Sequence, residues 1–166
     1  MAGAIARGVL FVHSAPRALC PHIEWAVSGV LGQHVRLDWQ AQPAAPGLVR
    51  ADFDWQCGQG TGARLASALR GWEHLRYEVT EDASRGYDGA RWLHTPDLGI
   101  FHAVTDVVGN IVVPEDRVRA ALEYAREPQV MVDLLDLAIG AAWDEELEPF
   151  RACEPAQPQR RLYAVS

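Results

Sequence analysis

The spacing of apolar residues switches twice between two and about 3.6 within the first 80 residues, and this constrains the fold most. Residues 8–13 form a short run that is apolar on both alternating faces, which is typical of a central strand. A helical pattern follows, with Pro21 suited to a first helical position and Gly32 to a C-terminal cap. We therefore predict a buried strand followed by a helix.

The same switch occurs a second time further along the chain. Residues 35–39 and 49–56 alternate apolar and polar side chains, which predicts two strands with one buried face each. GQGTG then leads into a second helix with Thr61 as its N-cap, and residues 75–80 predict a fourth strand. This order is that of a ferredoxin-like βαββαβ unit, which we predict over residues 1–83 of an α+β protein. We expect its first and third strands to be parallel neighbours, with both helices on one face.

Residues 84–166 predict a β-hairpin and two helices packed on the first half, giving one compact unit overall. After a short strand at 91–94, residues 99–113 form the hairpin, and Pro114 opens a helix. Pro128 opens a longer helix that Pro149 ends, and this helix is apolar over much of its circumference. It is therefore expected either to enter the core or to be shared with a partner. CEPAQPQ predicts an extended tail, and RRLYAV a last strand or a loose end.

Charge and composition exclude several classes of partner. The net charge is -7 and no cluster of basic residues occurs, which disfavours nucleic acid and an anionic membrane surface. No apolar run approaches the roughly 18 residues of a membrane span, and the N-terminus lacks the pattern of a signal peptide. Three cysteines at wide spacing fit a reducing compartment. We therefore predict a cytoplasmic protein, and no cofactor is indicated because neither nucleotide-binding fingerprint is met.

Two loops are predicted to form a ligand site. If the first and third strands are parallel, HSAPRALCPH and CGQGTG leave the same edge of the sheet, and each ends at a helix N-terminus. Ser14, Arg17, Gly60 and Thr61 would then bind the phosphate or carboxylate of a small anionic metabolite. The competing interpretation is that the glycines serve only the turn and that Arg17 is solvated.

Catalytic and metal-binding roles have weaker support in the sequence. Cys20 at a helix start, near His13 or His22, is a candidate nucleophile with a lowered pKa, although buried inert cysteines are the more usual case. These three residues and Cys57 could converge on a metal, but they lack the paired spacing of metal ligands. We therefore assign no catalytic residue and no metal site.

Two further sets of residues have structural interpretations. His94 and His102 are interpreted as structural histidines. The sheet face opposite the helices would carry seven charged residues, which we interpret as a solvated surface with cross-strand pairs: Arg36, Asp38, Arg50, Asp52, Asp54, Arg76 and Glu78.

Several stretches resemble the actinobacterial domain-of-unknown-function family 3145. They include RGVLFVHSAPRALCPHIEWAV, LASALRGWEHLRYEVTED, TPDLGIFHA and WDEELEPFR, and together they cover most of the chain. The resemblance implies a bacterial cytoplasmic protein, but it implies no activity, cofactor or catalytic residue.

The leading prediction is a non-catalytic accessory or regulatory module that binds a small anionic metabolite or a protein partner. One alternative is a cysteine-dependent enzyme acting on an acyl or other electrophilic substrate. Another is a structural subunit of a larger assembly, and self-association is left open.

Overall fold

The computed structural model describes residues 4–151, which form an α+β fold of seven strands and five helices. The predicted tail CEPAQPQ and the ending RRLYAV lie outside the described residues. A short 3-10 turn, Arg17–Leu19, joins the first strand to the first helix. The elements are β1 (Ile5–Pro16), α1 (Cys20–Leu31), β2 (Gln40–Ala41), β3 (Leu48–Gly58), α2 (Thr61–Leu69), β4 (Arg76–Glu81), β5 (Gly89–Thr95), β6 (Gly99–Thr105), β7 (Ile111–Val112), α3 (Glu115–Tyr124), α4 (Pro128–Ile139) and α5 (Ala141–Arg151).

The strands form one antiparallel sheet in the order β2-β3-β1-β4-β5-β6-β7. β1 and β3 are neighbours, but they are antiparallel, so the predicted parallel pairing is wrong. The reason is topological: α1 returns the chain so that β2 runs in the direction of β1, and the connection from β2 to β3 then reverses it. The sheet is also larger than predicted, since β5, β6 and β7 extend it beyond β4.

The second predicted strand is almost entirely absent, because residues 34–39 are irregular and only Gln40–Ala41 pairs with β3. Val35 and Leu37 are buried as the alternation predicts. However, the N–H of Val35 donates to Ser28 Oγ, and the N–H of Leu37 donates to Glu24 Oε1. Side chains of α1 therefore bind the backbone donors that a neighbouring strand would otherwise use.

Helices cover one face of the sheet and part of the other, where Asp52 and Asp54 on β3 are exposed. α1 and α2 pack on one face, and α5 packs on the other over a smaller apolar cluster. The expectation of a solvated second face is therefore wrong at β4, where Glu78 is buried. The principal buried residues of the first face are Leu10, Val12, Ile23, Val27, Leu65, Leu69 and Tyr77, and those of the second are Leu93, Phe101, Ala103 and Leu147.

The long predicted helix is two helices, α4 and α5, which meet at Gly140. Gly140 has φ 74°, and a Cβ at this position would lie 2.5 Å from the ring of Phe101. The turn between α4 and α5, which we call the corner, therefore requires glycine at position 140. Its backbone is left-handed, and Phe101 of β6 leaves no room for a side chain. Pro149 lies inside α5 rather than ending it. The first helix ends at Gly32 as predicted, and α3 begins directly after Pro114.

A bulge in β1 determines where its polar residues point. Val12 pairs with Ala51 and Ala15 pairs with Val49, so that His13 and Ser14 together oppose one residue of β3. In a regular strand Val12 and Ala15 would point to opposite faces. The extra residue lets both be buried on the helix face, and it directs His13 and Ser14 toward α5.

Candidate functional site

The antiparallel pairing of β1 and β3 separates the two predicted ligand loops. Arg17 follows the end of β1, which pairs with the start of β3, whereas Gly60 and Thr61 follow the opposite end of that pair. The 12 residues of β1 span roughly 35 Å at about 3.3 Å per residue. The predicted shared pocket is therefore wrong, and anion binding by either loop alone stays a prediction.

The start of α2 already holds an anionic group from the chain itself. The N–H groups of Gly60 and Gly62 donate to the two carboxylate oxygens of Glu81 at 2.8 and 2.6 Å. Glu81 and Thr61 are both buried, and the Thr61 hydroxyl donates to Gly58 O. Glu81 thus takes the position that a bound phosphate would occupy at a helix N-terminus. Sequence reasoning missed it because Glu81 lies on β4, 20 residues along the chain.

Cys20 does not have the properties of an activated nucleophile. It begins α1 close to the predicted position, but it is buried, and burial raises the pKa of its thiol more than the charge of Arg17 lowers it. The predicted lowering of this pKa is therefore wrong. His22 is exposed on α1, and His13 lies on the other face of the sheet against Glu78.

Of the two cysteines in residues 4–151, Cys57 is the one whose thiol pKa is lowered. The hydroxyl of Thr61 and the backbone of Gly58 lower it most, burial opposes them, and Arg64 adds a smaller contribution. The Thr61 hydroxyl has one proton, so its bond to the sulfur competes with its bond to Gly58 O. Cys57 pairs with Ala6 near the start of β1 and is therefore remote from Cys20. Within residues 4–151, no group of three or more His, Cys, Asp or Glu side chains is placed to hold a metal ion.

Glu78 is the buried centre of a partly exposed cluster of charged side chains under α5, which we call the charge cluster. Its Oε1 accepts a hydrogen bond from Arg91 Nε at 2.7 Å, and its Oε2 accepts one from Arg151 at 2.9 Å. His13 Nε2 lies 3.4 Å from the same Oε2. The carboxylate therefore joins β1, β4, β5 and α5 at one point.

Asp144 closes the charge cluster from α5. Its Oδ1 lies 2.7 Å from Arg91 Nη2 and 2.9 Å from Arg151 Nη1. Both arginines therefore contact both Glu78 and Asp144, and Arg151 also lies 3.7 Å from Glu148. Such charge-assisted hydrogen bonds compensate the cost of removing the charges from water.

The ionisation of Glu78 fits a structural role better than a catalytic one. Burial alone would raise its pKa, but the hydrogen bond from His13 and the charges of Arg91 and Arg151 hold the pKa well below its ordinary value. A general acid or base needs a pKa near the working pH. A carboxylate that stays ionised between three donors does not meet this requirement. We therefore interpret the charge cluster as a set of contacts that holds α5 against the sheet.

Ser14 lies beside the charge cluster rather than at a ligand loop. It is fully buried and pairs with Arg76 across β1 and β4, while Arg17 lies on the exposed 3-10 turn. Arg76 Nη2 lies 3.3 Å from Glu146 on α5. This contact is to Glu146 Oε1 and is an ion pair without hydrogen-bond geometry; within the described part of the chain, Ser14 Oγ, Arg76 Nε and Glu146 Oε1 have no hydrogen-bond partner. Ser14 thus lies next to a residue that contacts α5, whereas Arg17 lies on the exposed turn.

The two histidines interpreted as structural lie on β5 and β6. His94 is buried, donates from Nδ1 to Leu75 O at 2.8 Å and stacks on Tyr77. His102 is exposed and stacks on Trp92. The ring of His94 is thus fixed by a backbone hydrogen bond and by packing in the core.

The helices α3 and α4 carry nine of the fifteen exposed large apolar side chains in the described residues. We call these nine the α3–α4 surface. Ala138 alone is buried among the residues of α4, although the helix is apolar over most of its circumference. The nine residues are Val118, Leu122, Tyr124, Val130, Val132, Leu134, Leu135, Leu137 and Ile139.

A groove of about 510 Å³ runs between α3 and α4. Ala120, Ala121 and Ala138 contribute small side chains to it, and Tyr124 and Leu137 contribute large ones. Small residues beside large apolar ones leave a depression into which an apolar side chain of another molecule fits.

Comparisons with known proteins agree with the resemblance noted in the sequence. In the part of the chain that the structure describes, no helix has the length and apolar character to cross a membrane. No curated protein and no solved structure matches the chain. A family model described as "Protein of unknown function (DUF3145)" matches residues 9–164. The chain therefore belongs to the DUF3145 family.

Proposed function

We propose that the protein is a non-catalytic accessory module that binds another polypeptide through the α3–α4 surface. The observation that carries the proposal is the exposure of α4, a helix apolar on most sides of which only Ala138 is buried. Exposed apolar patches of this kind mark interaction surfaces in soluble proteins.

The size of the surface favours a polypeptide over a small metabolite. Each of the nine side chains would contribute on the order of 0.5 to 1 kcal/mol on losing its remaining exposed area. Association costs at least about 4 kcal/mol in lost translational and rotational freedom. Only a partner that covers most of the surface would therefore bind with useful affinity.

Two further parts of the proposal concern architecture and location. We propose that the first half forms a ferredoxin-like unit within the larger sheet, since β3 lies between β1 and β2, which run in the same direction, as in a split βαβ motif. A cytoplasmic location is supported by the free thiols of Cys20 and Cys57 and by the negative net charge.

Photo-crosslinking in cells tests the binding role. A benzophenone amino acid replaces Leu137 on the surface or, as a control, Leu98 in the turn between β5 and β6; both leucines are exposed. We expect an adduct with a separate polypeptide from position 137 and none from position 98. An adduct confined to residues 152–166 of the same chain, or no adduct, would contradict the proposal.

A further inference from the structure

We infer that the polypeptide bound at the α3–α4 surface is a second copy of this chain, related by a two-fold axis. The inference rests on the proposed function, because it concerns the same surface. A two-fold interface must be complementary to itself, so one surface has to present both a groove and a ridge, and charges of both signs.

The surface presents both shapes. The groove between α3 and α4 has alanines at positions 120, 121 and 138. Val132, Leu135 and Ile139 lie on α4 at a spacing of three and four residues, so they form one row of branched side chains, and all three are exposed. A two-fold axis beside α4 would bring the row of each copy toward the groove of the other.

The charges around the surface are also complementary between two copies. The charged side chains of α4 are Asp133 and Asp136, both acidic, whereas Arg117 lines the groove and Arg126 follows α3. The exposed residues Glu123 and Glu127 flank Arg126 in the sequence, so Arg117 is the cation that the groove itself offers to Asp136. Asp136 and the two arginines are exposed and make no ion pair with another residue of the range 4–151. Two-fold packing brings the acidic helix of one copy next to the arginines of the other.

The same acidic helix argues against other kinds of surface. An anionic membrane or a nucleic acid would be repelled by Asp133 and Asp136, and neither offers a cation to pair with these carboxylates. A second copy supplies apolar area and cations together.

Sedimentation velocity of the purified full-length chain over a concentration series tests the inference. We expect a species of twice the 18.3 kDa chain mass, and we expect Leu135→Asp to raise its dissociation constant at least about tenfold. Leu98→Asp is the matched control, because Leu98 is 40% and Leu135 is 38% exposed. It should leave the dissociation constant unchanged, and circular dichroism should show both variants folded.

A charge exchange provides a second test that does not depend on apolar packing. Arg117→Asp and Asp136→Arg should each weaken the dimer roughly two- to fivefold, as expected for exposed pairs, and the double variant should recover. A monomer at all concentrations, or a dimer that Leu135→Asp leaves intact, overturns the inference. If a monomer is found while Leu137 still crosslinks to a different protein, the second copy is excluded and the binding role stands.

Discussion

Glu78 connects four structural elements through one carboxylate. It receives Arg91 from β5, Arg151 from α5 and His13 from the bulge in β1. Because its pKa is lowered in the folded state, the ionised form binds its partners more tightly than the protonated form does. The stability that this residue contributes is therefore present above the pKa of an unfolded glutamate, about 4.3, and is lost as pH falls below it.

Glu78→Gln should lower the free energy of unfolding at pH 7 by about 2 to 4 kcal/mol, because it leaves two arginines with one carboxylate fewer. The variant should also lose less stability than the wild type between about pH 5 and pH 2. Urea denaturation across this range measures both effects. Glu115→Gln, which removes an exposed ion pair with Arg119, is the control and should change stability by at most about 0.5 kcal/mol. Equal acid sensitivity in Glu78→Gln and the wild type would contradict the structural role that we assign to the ionised Glu78 carboxylate.

The two described cysteines are predicted to differ in reactivity. Cys57 has a lowered pKa and is partly exposed, whereas burial raises the pKa of Cys20. In a Cys153→Ser background at neutral pH, iodoacetamide should modify Cys57 at least about ten times faster than Cys20. Arg64→Ala should slow the modification of Cys57. Faster labelling of Cys20 would restore the cysteine-enzyme alternative that its raised pKa disfavours.

At the scale of elements, the corner between α4 and α5 fixes where the charge cluster can form. Gly140 ends α4 in a left-handed conformation, and the chain then turns so that α5 lies over the sheet. Trp143 on α5 donates to Gly99 O and packs on Phe101. These contacts place Asp144 one residue further on, against Arg91.

Gly140→Ala should destabilise the protein by about 2 to 4 kcal/mol, because it combines a left-handed backbone with overpacking against Phe101. Gly32→Ala is a matched control: Gly32 also ends a helix with φ 67°, but a Cβ there meets nothing within 4 Å. It should cost only about 1 kcal/mol. Thermal and urea unfolding measure the difference, and equal losses would show that the contact with Phe101 is unimportant.

The bulge in β1 shows how local geometry and packing act together. It buries Ala15 on the helix face while His13 and Ser14 point toward α5. Neither the alternation of residues 8–13 nor the turn residues after it indicated an inserted residue. A bulge has no strong sequence signature, because it is selected by the contacts on both faces of the strand.

At the scale of the whole molecule, the sheet and the α3–α4 surface have different energetic roles. The sheet is packed against helices on one face and on part of the other, where Glu78 forms the buried centre of the charge cluster. The α3–α4 surface, in contrast, leaves branched and aromatic side chains exposed. Substitutions that replace apolar side chains of the α3–α4 surface with polar ones should therefore weaken association. They should leave the free energy of unfolding of the monomer nearly unchanged.

Much of the local structure could be predicted, and the site could not. The helix Cys20–Leu31, which Gly32 caps, and the helix after Pro114 follow from apolar spacing and from the positions of glycine and proline. The predicted ligand site failed because it assumed that β1 and β3 are parallel. The predicted order itself implies the opposite, since a helical crossover makes β2 run in the direction of β1 and the short connection to β3 then reverses the chain. Glu78 was predicted as a solvated surface residue because alternation along β4 identifies two faces but does not show what covers each one.

The sequence by itself determined the α+β class, the positions of most helices and strands, and the apolar character of α4, since these depend on residue spacing within one element. Only the tertiary structure decided that β1 contains a bulge, that α5 covers Glu78 and that α4 stays exposed. Each of these depends on contacts between residues far apart in the chain. Apolar periodicity predicts which face of a helix or strand is buried. It does not predict which other element packs against that face.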